Sequence, residues 1–94
     1  MIEIKIDDRE VKIEGHAGAG PIGADLVCCA VTTLFYSLVA NVEHYSCNIK
    51  YFSQSGKALI KAYDETDTIY NCFRYFEIAV RELVDRYPDK IRIL

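Results

Sequence analysis

The spacing of apolar residues changes repeatedly along the chain, and this change constrains the fold more than any other feature of the sequence. Apolar residues alternate with charged residues in segment 2–6 and again in segment 11–14. Such alternation is typical of strands with one buried face. The sequence DDRE lies between the two segments and predicts a turn, so the first part of the chain predicts a β-hairpin.

Two longer segments have apolar residues at the three- and four-residue spacing of an amphipathic helix. The first runs from about Ala24 to about Asn41. The second follows a cap at Thr66 or Asp67 and ends before Pro88. The sequence therefore predicts two helices of several turns each.

The segment between the helices alternates again and predicts a second hairpin over 45–63, with its turn at the sequence SQSG. The terminal KIRIL predicts a short last strand. The order of elements is β-β-α-β-β-α-β. We expect an α+β fold, formed by a single small domain over 1–94 with a mainly antiparallel sheet of about five strands and both helices on one face.

Composition narrows the function classes. The formal net charge is -3, from 14 acidic and 11 basic side chains, which argues against a direct nucleic-acid partner. The chain opens without an export signal, and polar residues interrupt its longest apolar run, so we expect a cytoplasmic protein with no membrane contact. The four cysteines form no C-x-x-C pair and there are two histidines, so we expect thiols, no metal and no cofactor.

A glycine-rich loop separates His16 from Cys28. If Asp25 caps the first helix, Cys28 lies in the first helical turn, where the helix dipole favours a thiolate. A nearby histidine would stabilise that thiolate and could protonate a leaving amine. These are ingredients of acyl-transfer catalysis, and the glycines of the loop would let it open and close over a peptide (Gly18, Gly20, Gly23).

Other interpretations of these residues stay open at this point. A cysteine in a core helix is commonly a small apolar residue. Strict alternation places His16 away from the helices unless the strand twists or ends at Gly15. Cys29 is a rival nucleophile that periodicity cannot rank against Cys28. Thr32 lies one turn after Cys28, where its hydroxyl could support the site or bond back to a helix carbonyl.

Four further expectations concern residues outside this pair. Cys47 and Cys72 fall on apolar stripes and are expected in the core. His44 follows the first helix, as a C-terminal charge complement or a plain loop residue. The aromatic residues exceed the needs of so small a core, and a dimer interface would account for some of them. Several could line a specificity pocket (Tyr36, Tyr45, Tyr51, Phe52).

The region around the loop resembles the ribosomal-processing cysteine proteases, a family of small bacterial proteins also known as Prp. Their signature has Gly-His-Ala, a glycine-rich loop and then Gly-x-Asp-Ile-Val-Cys-Ala-Ala-Val-Ser. This sequence has Gly-His-Ala at 15–17 and Gly-Ala-Asp-Leu-Val-Cys-Cys-Ala-Val-Thr at 23–32. The histidine-to-cysteine spacing, the chain length and the element order also match, so the resemblance covers essentially the whole chain.

The resemblance implies roles for the motif residues. Cys28 takes the position of the nucleophile and His16 that of its base. Supporting positions fall on Asp25, Thr32, Gly15 and Gly23, with Thr32 keeping the hydroxyl of the family serine. Cys29 replaces a family alanine beside the nucleophile.

The resemblance also implies an activity. Family members remove an N-terminal extension from a large-subunit ribosomal protein, the twenty-seventh, and form homodimers. Two alternatives remain: a non-catalytic ribosomal-protein binding or assembly factor on the same fold, and a hydrolase of small thioesters or amides.

Overall fold

The computed structural model of the protein describes residues 1–16 and 26–94 and contains seven elements. Each predicted element is present, in the predicted order. The elements are β1 (Ile2–Ile6), β2 (Glu10–Glu14), α1 (Leu26–Tyr45), β3 (Ile49–Gln54), β4 (Lys57–Ala62), α2 (Asp67–Arg86) and β5 (Ile91–Ile93).

The strands form one mixed sheet in the order β3-β4-β2-β1-β5. The hairpin pairs β1–β2 and β3–β4 are antiparallel, and β4 joins the two hairpins by pairing antiparallel with β2. β5 follows α2 and returns beside β1 in the parallel direction. The α+β class and the mainly antiparallel sheet are thus confirmed, and β5 makes the sheet mixed.

Both helices pack on one face of the sheet. Alternate residues of the strands point to that face and are buried there, among them Ile4, Val11, Ile60 and Ile91. They meet the apolar sides of the two helices in one continuous core. Burying each such side chain contributes about 1.5–3 kcal/mol before the entropy of ordering the chain is subtracted.

The ends of α2 follow the sequence signals. The hydroxyl of Thr66 accepts a hydrogen bond from the backbone N–H of Ile69 at 3.2 Å, which makes Thr66 the N-cap. At the other end the N–H of Tyr87 donates to the carbonyl of Leu83 at 2.8 Å, and Pro88 follows. Of the two predicted caps, Thr66 is the one used.

The end of α1 was predicted wrongly. The helix continues to Tyr45, past the predicted end near Asn41, and β3 begins at Ile49 where the sequence predicted a strand from residue 45. The helix carries on because Val42 is fully buried, and its carbonyl accepts a hydrogen bond from the N–H of Ser46 at 2.9 Å. His44 therefore lies in the last turn of α1 and not in a loop.

α1 is the core helix of the molecule. By length and composition alone it would be long enough and apolar enough to cross a membrane, a test that core helices of soluble proteins also pass. Six of its side chains are buried in the core: Val27, Val31, Phe35, Leu38, Val39 and Val42. This buried stripe accounts for part of the apolar composition of the helix, and Leu26, Tyr36 and Tyr45 are exposed apolar residues outside it.

Candidate active site

A surface cavity of about 440 Å³ lies where α1 meets the ends of both hairpins. His16 lines it from the end of β2, and Cys28 lines it from the first described turn of α1. The floor is formed by core-facing residues such as Ile13 and Val31, and the far side by the β3–β4 turn. The fold therefore brings the two residues of the predicted dyad to one concave site.

Gly15 lets His16 reach this site. β2 ends at Glu14, and Gly15 has a φ of 100°, a left-handed conformation that side chains rarely adopt. A Cβ at Gly15 would also overlap the carbonyl oxygen of Met1. The strand thus ends before Gly15, as the prediction of a His16–Cys28 pair required, and His16 does not continue along the face of Lys12 and Glu14.

The position of His16 is fixed from two sides. Its carbonyl accepts a hydrogen bond of 2.7 Å from the nitrogen of Met1. Its ring lies against the β3–β4 turn, where a Cβ at Gly56 would stand 2.8 Å from the imidazole Nε2. A backbone hydrogen bond from the N–H of Gly15 to the carbonyl of Gly56, at 2.9 Å, ties that turn to the end of β2. A side chain at position 56 would therefore require the imidazole to move from this position.

Cys28 is half-buried and packs against the core from its position in the first turn of α1. Thr32, one turn further along, lines the same cavity, and so does Tyr36. Because residues four apart lie on the same helix face, a single orientation of α1 places all three side chains at the cavity. Tyr45, Tyr51 and Phe52, which were also expected at a specificity pocket, are not among the described residues that line the cavity.

The other cysteines have different surroundings. Cys29 is exposed and is not among the described lining residues; its carbonyl accepts a hydrogen bond from the Thr33 hydroxyl at 2.9 Å. Cys72 is buried as predicted, and burial raises the pKa of its thiol. The prediction for Cys47 is wrong: it is exposed in the short connection between α1 and β3. That prediction depended on starting the strand at residue 45, which gave Cys47 the wrong surroundings.

Two predicted supporting residues, Gly23 and Asp25, lie outside the described residues. Conversely, sequence reasoning missed the residues of the β3–β4 turn that line the cavity: Ser53, Gln54, Ser55, Gly56 and Lys57. The sequence SQSG identified the turn itself. Only the pairing of β4 with β2, which sequence periodicity does not specify, brings that turn next to His16.

Within residues 1–16 and 26–94, no cluster of three or more histidine, cysteine, aspartate or glutamate side chains could hold a metal ion. The side chains that line the cavity include a thiol and an imidazole. A thiol and an imidazole can provide a nucleophile and a proton carrier.

A half-buried thiol at a helix N-terminus and an imidazole in the same cavity are the functional groups that cysteine proteases use. The protein belongs to this class. The model of the family described as "Cysteine protease Prp" matches residues 1–92. The chain belongs to that family, which confirms the resemblance seen in the sequence.

Solved structures show the same fold. A ribosomal processing protease Prp from Staphylococcus aureus, in complex with a covalently linked product peptide, is 21% identical with a TM-score of 0.82, over 98% of this chain and 94% of that chain. The Prp structure with a substrate peptide is 17% identical with a TM-score of 0.74, over 99% and 95%. A Streptococcus mutans protein is 24% identical with a TM-score of 0.74, over 98% and 89%.

No curated protein matches the sequence in a direct search.

Proposed function

We propose that the protein is an endopeptidase in which Cys28 is the nucleophile and His16 is the general base. The observation that supports this most directly is that both side chains line one cavity. Cys29 is the weaker candidate because it is exposed and is not among the lining residues described.

The proposed reaction proceeds by acyl transfer. The Cys28 thiolate, with its proton held by His16, attacks the scissile carbonyl carbon and forms a tetrahedral intermediate. The intermediate collapses as the imidazolium donates its proton to the leaving amine, which leaves a thioester on Cys28. His16 then takes a proton from water, the resulting hydroxide attacks the thioester, and the thiolate is regenerated. The positive end of the α1 dipole favours both the thiolate and the oxyanion.

The supporting residues have distinct proposed tasks. Gly15 turns the chain so that His16 faces the cavity, and Thr32 presents a hydroxyl one helical turn from the nucleophile. Asp25 and Gly23 keep the roles that the family motif implies, the first as helix cap and orienting residue and the second in the loop before it. We assign the whole range 1–94 to this protease domain.

The proposed substrate is the precursor of a large-subunit ribosomal protein, the twenty-seventh, from which a short N-terminal extension is removed. The family membership supports this, as does the description of the Staphylococcus aureus relatives as ribosomal processing proteases bound to substrate and product peptides. We further propose that the enzyme acts in the cytoplasm, where ribosomes are assembled, and that it is a homodimer.

The experiment that tests this proposal is mass spectrometry of the purified protein mixed with the precursor ribosomal protein of the same organism. Wild type is expected to remove a short N-terminal segment. Cys28→Ala is expected to leave the precursor intact, and Cys29→Ala, the matched control on the next helix position, to cleave it as wild type does.

Other outcomes would select the alternatives. Cleavage by Cys28→Ala but not by Cys29→Ala would move the nucleophile to Cys29. A precursor that is bound but never cut would favour the binding factor. Turnover of small thioesters with no effect on the precursor would favour a small-molecule hydrolase.

A further inference from the structure

The sheet has a second face, opposite the helices, whose composition the protease function does not explain. Residues that alternate with the buried ones point to it, and neither described helix packs on it. We call it the open face. It carries Glu3, Lys5, Glu10, Lys12, Glu14, Lys50, Phe52, Gln54, Lys57, Leu59, Lys61, Tyr63 and Arg92.

The open face concentrates positive charge. It holds six basic and three acidic side chains, whereas the rest of the sequence holds five basic and eleven acidic ones, so its net charge is +3 against -6 elsewhere. All six basic residues are exposed. The overall charge of -3, which argued against a nucleic-acid partner, is the sum of +3 on the open face and -6 over the rest of the sequence.

The acidic residues of the open face form ion pairs with only some of its basic residues. Glu10 lies 3.9 Å from Lys12 and 4.0 Å from Lys61, and Glu3 pairs with Arg92. No ion pair joins Lys5, Lys50 or Lys57 to any described residue. These three ammonium groups stand on three different strands, so a bound polyanion would meet positive charge across the width of the sheet.

Exposed aromatic rings accompany the lysines. Phe52 is 40% exposed on β3, and Tyr63 is 45% exposed just beyond β4. The Lys61 ammonium lies 5.5 Å from the centroid of the Tyr63 ring. Across the strands, Phe52 pairs with Leu59, which pairs with Lys12. Ring faces beside ammonium groups offer stacking to bases and neutralisation to phosphates, and stacking requires bases that are not already paired in a duplex.

We propose that the open face is a binding surface for single-stranded nucleic acid. Lys5, Lys12 and Lys50 contact the phosphates, and Phe52 and Tyr63 stack on bases. The open face meets the cavity only at the β3–β4 turn, where Gln54 and Lys57 belong to both. None of the lysines and aromatic residues named above as ligand contacts lines the cavity. An acidic polypeptide would satisfy the charge but would leave the rings without a planar partner, so nucleic acid is the occupant that uses both features.

Fluorescence anisotropy with labelled oligouridylate and oligothymidylate of about twelve nucleotides tests this proposal. Wild type is expected to bind, with affinity falling as salt rises from about 50 to about 200 mM. Lys5→Gln combined with Lys50→Gln should lower the magnitude of the slope of log affinity against log salt by about 1.4, from about 0.7 per phosphate contact. Phe52→Leu should weaken binding about fivefold or more with an unchanged slope.

The matched control is Arg86→Gln combined with Lys90→Gln, which removes the same charge outside the open face. It should bind as wild type does. The proposal is overturned if neither oligonucleotide binds at about 50 mM salt, if the control weakens binding as much as the lysine variant, or if polyglutamate of similar length displaces the oligonucleotides at equal charge. Preference for one oligonucleotide identifies RNA or DNA as the ligand, and either supports the proposal.

Discussion

At the scale of single residues, we predict that the contact between Gly56 and His16 determines the position of the imidazole. Gly56 has a φ of 75°, and a Cβ there would stand 2.8 Å from the imidazole Nε2. We predict that Gly56→Ala lowers kcat/KM by about 10- to 100-fold, because the new methyl group displaces the proposed base. Left-handed backbone strain is expected to cost a further 1–2 kcal/mol, roughly, in the free energy of unfolding. Peptide-cleavage kinetics and denaturant unfolding measure the two effects separately.

Gly56→Asn separates displacement from strain. Asparagine tolerates a left-handed backbone better than alanine does, yet it also places a Cβ against the imidazole. We expect the asparagine variant to be the more stable of the two and equally impaired in cleavage. If activity instead follows stability, so that Gly56→Asn cleaves nearly as wild type does, then the turn does not position His16.

At the scale of elements, a polar cluster joins two connections. The carboxylate of Asp64, between β4 and α2, accepts hydrogen bonds from the hydroxyl of Ser46 at 2.5 Å and from the side-chain amide of Asn48 at 3.3 Å. The Ser46 hydroxyl in turn accepts from the backbone N–H of Asn48 at 3.0 Å. This cluster holds the end of α1 against the start of α2 and fixes where β3 begins.

The cluster predicts an acid dependence of stability. Hydrogen bonds from Ser46 and Asn48 hold the pKa of Asp64 below its ordinary value of 3.8. A carboxylate whose pKa is lower in the folded state stabilises the fold above that ordinary value, and this contribution is lost as the pH falls through the folded-state pKa. Asp64→Asn should therefore lower the urea midpoint at pH 7 and have little effect at about pH 2.

Urea titrations at both pH values, with Asp67→Asn as the control, check this prediction. Asp67 is an exposed carboxylate in the first turn of α2 with no hydrogen bond to Ser46 or Asn48. If Asp64→Asn lowers the urea midpoint by the same amount at both pH values, the carboxylate charge contributes nothing to stability at this position.

At the scale of the whole molecule, the exposed aromatic residues bear on assembly. Apolar residues make up 51% of the chain, and the buried ones form one core. All seven tyrosines nevertheless have exposed side chains. Exposed rings beyond the needs of a monomer are typical of interfaces. We predict that sedimentation equilibrium gives twice the chain mass of 10.7 kDa. A single-chain mass at tens of micromolar protein would contradict the proposed homodimer.

Most of the fold could be predicted from the sequence because its elements are short-range patterns. The alternation in β1 and β2, the Thr66 cap and the stop before Pro88 are each decided by neighbours in the chain. The end of α1 and the surroundings of Cys47 could not be predicted in this way, because they depend on the burial of Val42 in the core and on hydrogen bonds to Asp64, which is distant in sequence. The same limit applies to the site: the family motif indicated His16 and Cys28, whereas Gly56 becomes relevant only through the pairing of β4 with β2.

The cavity walls come from distant parts of the chain, and this sets when the cavity can exist during synthesis. β4 must emerge and pair with β2 before the β3–β4 turn can stand beside His16. A nascent chain that ends before Ala62 therefore carries both members of the proposed dyad but lacks one wall of their cavity. We therefore expect the complete cavity to form only after β4 has been synthesised, and a shorter polypeptide, even one holding the whole family motif, is expected to lack the wall formed by the β3–β4 turn.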